Sequence, residues 1–191
     1  PQRAALLVEA ARPQLNSRVV SAIEVEELHD VVLAVHSYAG MIGTAVADRI
    51  GKHLKHLVYV DAVIPKPGES WSSTQSAATQ QQRLSAAQAS TRFSFPPPDP
   101  EVFGLIDADH GNTYQAPLSF DVKRVAAIAR TFVNCTQPAL GTIEPSRLRA
   151  KDPKFWDGAW LPNSKIVEIK TGHDPMISEP AALAKILLDC A

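Results

Sequence analysis

The sequence places a serine where a buried strand would pass directly into a helix. Residues 31–35 form a continuous β-branched run typical of a buried parallel strand, and Ser37 follows just before a helix of small residues. At such a turn the hydroxyl projects above the sheet edge, and the backbone N–H of Tyr38 lies at the positive end of the helix dipole. This indicates a nucleophile with an oxyanion donor beside it, although a serine that only caps the helix fits equally well.

A histidine near the end of the sequence could act as the base for this serine. His173 lies in the segment TGHDPM (171–176), directly after the strand predicted at 165–169. Loops at the carboxyl ends of parallel strands meet at one edge of a sheet, so we expect His173 and Ser37 on the same edge. A serine and a histidine brought together there have the residue types that acyl transfer requires.

Alternating strand and helix patterns must position these two residues. Strands are predicted at 31–35, 57–60, 131–135 and 165–169, and helices at 18–28, 41–50 and 180–188. This alternation predicts an α/β fold, with a parallel sheet and helices on both of its faces. The segment 69–130 differs, being rich in Gln, Ser, Ala and Pro, and is predicted to be a cap insertion between core segments 1–68 and 131–191.

Composition argues against several other functions. Lys and Arg number 19 against 20 Asp and Glu, so no basic surplus points to nucleic acid or an anionic membrane. No apolar run reaches the roughly 18 residues needed to span a bilayer. Two cysteines are too few for a disulfide scaffold or a structural zinc site, and a cytoplasmic location is predicted. The sequence implies no metal or organic cofactor.

Four segments together resemble the α/β-hydrolase superfamily: VVLAVHSYAG (31–40), LVYVDA (57–62), FPPPDPEVF (95–103) and TGHDPM (171–176). They are most similar to the small esterase branch of salicylate esterases, plant methyl esterases and hydroxynitrile lyases. The resemblance implies that Ser37 is the nucleophile and His173 the general base. It also implies that the insertion 69–130 is a cap, with the region from Trp71 to Phe103 lining the acyl pocket.

The sequence departs from the family pattern at the turn and at the acid. Val35 and Ala39 stand where the family's Gly-x-Ser-x-Gly turn has glycines, which a strained turn favours. In the resembling proteins an aspartate follows the strand matching 131–135, but here Gln137 does. Asp61, after the strand 57–60, is the preferred acid, Glu144 is another candidate, and a purely structural role for Asp61 is as plausible.

Ser37 also stands early in the sequence. Four strands normally precede the nucleophile strand in this fold, and they need on the order of a hundred residues. We therefore expect the N-terminal strands to be missing and the sheet to end at the nucleophile strand. The chain, which starts at Pro1, is then a piece of a longer protein, and the second oxyanion donor is not identifiable in it.

The sequence predicts a serine hydrolase of small carboxylic esters, with Ser37 forming an acyl-enzyme and His173 transferring the proton. Two alternatives stay open. Val35, Ala39 and Gln137 suggest a hydrolase-like ligand-binding protein without turnover, and the same site could serve a hydroxynitrile-lyase-like enzyme. The predicted partner is a small-molecule ester, and the sequence leaves a homodimer open.

Overall fold

A parallel sheet organises the chain in the computed structural model, which describes residues 5–8, 15–89, 94–95, 109–110 and 115–191. Seven strands occur in these segments: β1 (Ala5–Val8), β2 (Val31–His36), β3 (Leu54–Val60), β4 (Ser94–Phe95), β5 (Asp109–His110), β6 (Ala129–Cys135) and β7 (Ser164–Ile169). Five of them form the main sheet, in the order β1-β2-β3-β6-β7, and every pair in it is parallel. The strands β4 and β5 form a separate antiparallel pair.

Helices cover both faces of the main sheet. The described helices are α1 (Leu15–Val25), α2 (Ala39–Ile50), α3 (Ala77–Ala89), α4 (Val122–Ala126), α5 (Glu144–Lys151), α6 (Pro175–Ser178) and α7 (Pro180–Leu188). On one face, Leu33 and Val35 of β2 pack in a core with apolar residues of α1 and α2. On the other face, Val32 and Ala34 pack in a second core with Leu183 of α7. Because β2 is buried on both faces, its sequence is a continuous apolar run instead of an alternating one.

The predicted fold class is confirmed, and the structure adds one strand to it. The sequence predicted a sheet ending at the nucleophile strand, whereas β1 pairs with β2 from Ala5 opposite Val32 to Val8 opposite Val35. A run of four apolar residues carries too little periodicity to be assigned a strand. The first predicted helix also ends earlier, at Val25, because Glu27 and Asp30 adopt left-handed backbone angles.

The segment between β3 and β6 contains α3 and the β4–β5 pair. Two parts of this segment pair through their backbones: Leu118 N–H donates to Glu69 O and Gly68 N–H donates to Leu118 O, both at 2.8 Å. Trp71, two residues after Glu69, is buried, whereas Phe103 lies outside the described residues. A cap at 69–130 that lines an acyl pocket stays a prediction.

Candidate active site

Ser37 lies at a sharp turn between β2 and α2. Its φ angle is 55°, in the left-handed region that costs a non-glycine residue roughly 1–2 kcal/mol. Ser37 N–H donates to Val60 O at 3.4 Å, and Val63 N–H donates to Ser37 O at 2.9 Å. Val60 at the end of β3 and Val63 just beyond it therefore hold the turn on both sides of the serine, in a strained conformation.

The glycines needed beside this turn stand at positions 40 and 43 instead of 35 and 39. A Cβ atom added to Gly43 would lie 2.6 Å from Cγ1 of Val35, so the missing side chain makes room for the valine. A Cβ atom on Gly40 would lie 1.9 Å from the carbonyl oxygen of Val63. Val35 is accommodated because α2 approaches β2 through a glycine.

His173 forms a hydrogen-bonded pair with Asp61. Its Nδ1 lies 2.7 Å from Oδ2 of Asp61, and the aspartate side chain is fully buried. Asp61 directly follows β3, has a φ angle of 39°, and donates its N–H to Val133 O at 2.8 Å. A carboxylate in this position can hold the imidazole in one tautomer and stabilise the imidazolium that forms when His173 accepts a proton.

The two other residues considered as partners of His173, Glu144 and Gln137, make different contacts. Glu144 lies on the solvent side of α5, with its side chain 55% exposed, and pairs with Nη1 of Arg147 at 3.4 Å. Gln137 is exposed and donates its backbone N–H to Thr171 O at 2.9 Å. The structure brings Asp61 to His173, and Glu144 to Arg147 instead.

Sequence reasoning missed Arg147, which is buried on α5. Its Nη2 donates to both carboxylate oxygens of Asp61, at 2.8 and 3.1 Å. Nε donates to Oδ1 of Asn134 at 3.0 Å, and Nη1 donates to Leu140 O at 2.7 Å. In the sequence Arg147 stands three residues after Glu144, which is typical of an exposed helix pair, so no local signal revealed its burial.

His36, the residue before Ser37, contacts His173 directly. The two rings are 4.4 Å apart, and Nε2 of His36 donates to His173 O at 2.8 Å, because a carbonyl can only accept. Burial lowers the pKa of His36, and the neighbouring His173 lowers it further. A neutral His36 therefore ties the end of β2 to the loop that carries His173.

Tyr38 lies between Ser37 and the first residue of α2, with φ −56° and ψ −30°. Its N–H thus belongs to the start of the helix, where the positive end of the helix dipole favours negative charge. The role of Tyr38 as an oxyanion donor stays a prediction.

Neither a metal-binding cluster nor an exposed cysteine occurs among the described residues. Across the described segments, no three His, Cys, Asp or Glu side chains gather to hold a metal ion. Cys135 is buried in β6, and burial raises the pKa of its thiol to about 12. A thiol with so high a pKa is a poor nucleophile.

Comparisons with known proteins identify the family. Residues 5–186 match the model of the alpha/beta hydrolase family. The chain is 32% identical over 212 residues to a carbendazim hydrolyzing esterase from Nocardioides sp. (strain SG-4G), covering 97% of this chain and 82% of that protein. The chain belongs to the alpha/beta hydrolase family. With an esterase relative aligned over most of its length, this hydrolase is a carboxylic ester hydrolase, and the predicted enzyme class is confirmed.

Solved structures share the fold of this hydrolase. An extracellular alpha/beta-hydrolase from a Paenibacillus species, described as homologous to tobacco salicylic acid binding protein 2, is 17% identical with a TM-score of 0.74. The match covers 95% of this chain and 80% of that one. A methylesterase from Arabidopsis is 16% identical with a TM-score of 0.60, covering 92% of this chain and 75% of that one. These likenesses show the shared fold, and the predicted resemblance to α/β-hydrolase esterases is confirmed by the family match and the esterase relative. Within the described residues, no helix is long and apolar enough to cross a membrane.

Proposed function

We propose that this hydrolase cleaves small carboxylic esters through an acyl-enzyme on Ser37, with His173 as general base and Asp61 as the acid of the triad. The observation that carries the proposal is the 2.7 Å pair between His173 and a fully buried Asp61, at the sheet edge where Ser37 stands in a left-handed turn after the neighbouring parallel strand. A merely helix-capping serine requires neither the strained φ angle nor a buried aspartate–histidine pair nearby.

The reaction uses these groups in two half-steps. Ser37 Oγ attacks the acyl carbon while Nε2 of His173 takes its proton, and Asp61 stabilises the imidazolium through Nδ1. The Tyr38 N–H donates to the oxyanion of the tetrahedral intermediate. The intermediate then expels the alcohol, which receives the proton from His173, and water releases the acid by the same steps.

The substrate is proposed to be a small ester, and carbendazim is the first compound to test. It is the compound named for the 32% identical esterase, which shares most of its length with this chain. Neither the binding-protein alternative nor the lyase alternative is favoured by these comparisons. The homodimer stays a prediction, as does the cytoplasmic location; one structural relative is described as extracellular.

The experiment that tests the proposal is steady-state hydrolysis of 4-nitrophenyl acetate and carbendazim by the wild type and three variants. Ser37→Ala removes the nucleophile, so kcat should fall by at least about 10³-fold. Asp61→Asn leaves a group of the same shape that cannot stabilise the imidazolium, so kcat should fall by roughly 10²–10⁴-fold.

Glu144→Gln is the matched control, since it neutralises the other acid candidate and should retain most of the activity. The proposal is wrong if Ser37→Ala hydrolyses both compounds at the wild-type rate. Exchanged results for Asp61→Asn and Glu144→Gln would move the acid to Glu144.

A further inference from the structure

Asp61 is shared between two partners, His173 and Arg147. Its Oδ2 lies 2.7 Å from Nδ1 of His173 and 3.1 Å from Nη2 of Arg147, while Oδ1 lies 2.8 Å from the same Nη2. The side chain of Asp61 is fully buried and that of Arg147 is 6% exposed. A carboxylate buried this deeply needs a compensating charge, and the guanidinium supplies a permanent one.

The remaining donors of Arg147 fix the guanidinium in place. Nε donates to Asn134, whose own Nδ2 donates to Glu168 at 3.0 Å on the neighbouring strand β7. Nη1 donates to the backbone of Leu140, in the loop that leads to α5. Arg147 therefore cannot turn away from Asp61 without breaking contacts to β6 and to this loop.

We propose that Arg147 is a positioning residue that fixes the Asp61 carboxylate toward His173 and withdraws part of its negative charge, thereby setting the pH range in which His173 is a free base. This inference rests on the proposed function, in which His173 must be neutral to accept the proton of Ser37. A cation beside the carboxylate weakens its attraction for the imidazolium, so removing the guanidinium should strengthen that attraction. Without Arg147, the Asp61–His173 pair would hold one proton more tightly.

Other titratable or charged groups also lie around the Asp61–His173 pair, but they are placed differently from Arg147. They come from β2, β6, α5 and the loop of His173 itself: His36, Cys135, Glu144 and Asp174. Asp174 lies 3.7 Å from His36, and Glu144 faces Arg147, so neither carboxylate replaces Asp61. Among these neighbours, Arg147 is the permanent cation in contact with the carboxylate.

The test follows the ring protons of His173 by NMR during a pH titration, with the signal assigned through a His173→Gln variant. Arg147→Met removes the charge, and the titration midpoint of His173 should rise by about one pH unit or more. Arg147→Gln is a second neutral variant that keeps an amide donor, so it serves if Arg147→Met does not fold. Arg147→Lys restores the charge and should bring the midpoint back toward that of the wild type.

Arg149→Met is the matched control. Arg149 lies on the same helix but pairs with Glu69 at 2.7 and 2.8 Å, so its loss should leave the His173 midpoint unchanged. The acid limb of kcat/KM should move with the NMR midpoint in the Arg147 variants. A folded neutral variant with the wild-type midpoint overturns the inference. A raised midpoint in a protein whose Ser37→Ala variant retains full activity supports the charge coupling and rejects the proposed function.

Discussion

The histidine side chains of this protein have different contacts because their surroundings differ. His173 is paired with a buried carboxylate, whereas His36 is buried beside it and has a lowered pKa. His56 on β3 bonds to the hydroxyl of Thr131 at 2.8 Å; burial lowers its pKa to about 4, and the nearby Lys165 adds to the shift. A histidine with so low a pKa stays neutral in the folded protein at a pH at which it is protonated in the unfolded chain.

The lowered pKa of His56 should make the folded protein less stable in mild acid. Its pKa is about 4 in the folded protein and 6.5 for an unperturbed histidine, so only the unfolded state gains a proton between these pH values. Its contribution to the free energy of unfolding is on the order of 1–2 kcal/mol after solvent screening. This contribution is full above pH 6.5 and falls as the pH drops toward 4.

Urea unfolding at several pH values measures the contribution of His56. His56→Gln should flatten this part of the pH dependence, whereas the control His29→Gln, at an exposed histidine, should not. An equal acid loss in His56→Gln and wild type would contradict the assignment.

The contact between β2 and α2 explains how the turn at Ser37 forms without its usual glycines. Val35 points into the space that a side chain at Gly43 would fill, and Leu57 Cδ1 would lie 3.2 Å from the same Cβ. The close approach of helix to strand is thus obtained by removing a side chain from the helix instead of from the strand. Position 43 should therefore be as sensitive to substitution as the turn itself.

Gly43→Ala should lower the free energy of unfolding by about 1–3 kcal/mol, because the added methyl overlaps a β-branched side chain that cannot move aside. Adding Val35→Ala should recover part of this loss, giving a favourable coupling in a double-mutant cycle measured by urea unfolding. Gly141→Ala is the control, since nothing lies within 4 Å of a Cβ there. Equal effects of Gly43→Ala and Gly141→Ala, or strictly additive changes in the cycle, would refute the compensation.

The molecule as a whole gathers its site from segments far apart in sequence. Ser37 follows β2, Asp61 follows β3, and His173 follows β7, so all three leave the sheet at its carboxyl edge. Cores on both faces hold these strands in register, which lets short loops fix the three proposed site residues. Arg147 reaches the same edge from α5 and ties the loop after β6 to it.

Much of this arrangement follows from local sequence patterns. The strand 31–35 is a continuous apolar run and the helix 41–50 has helical spacing, and the predicted position of Ser37 depends only on the boundary between these two elements. What local patterns could not provide were contacts between distant segments: the burial of Arg147 against Asp61 and the Gly43–Val35 fit. Each depends on how two elements pack, which a single sequence does not encode at either position alone.

The measurement that tests the central claim most directly is covalent labelling by a fluorophosphonate probe, followed by peptide mapping. The account predicts one adduct, on Ser37, that is absent in Ser37→Ala and forms much more slowly in His173→Ala and Asp61→Asn. A folded wild-type protein that is not labelled, or a label on another residue that persists in Ser37→Ala, would contradict the assignment of Ser37 as the nucleophile.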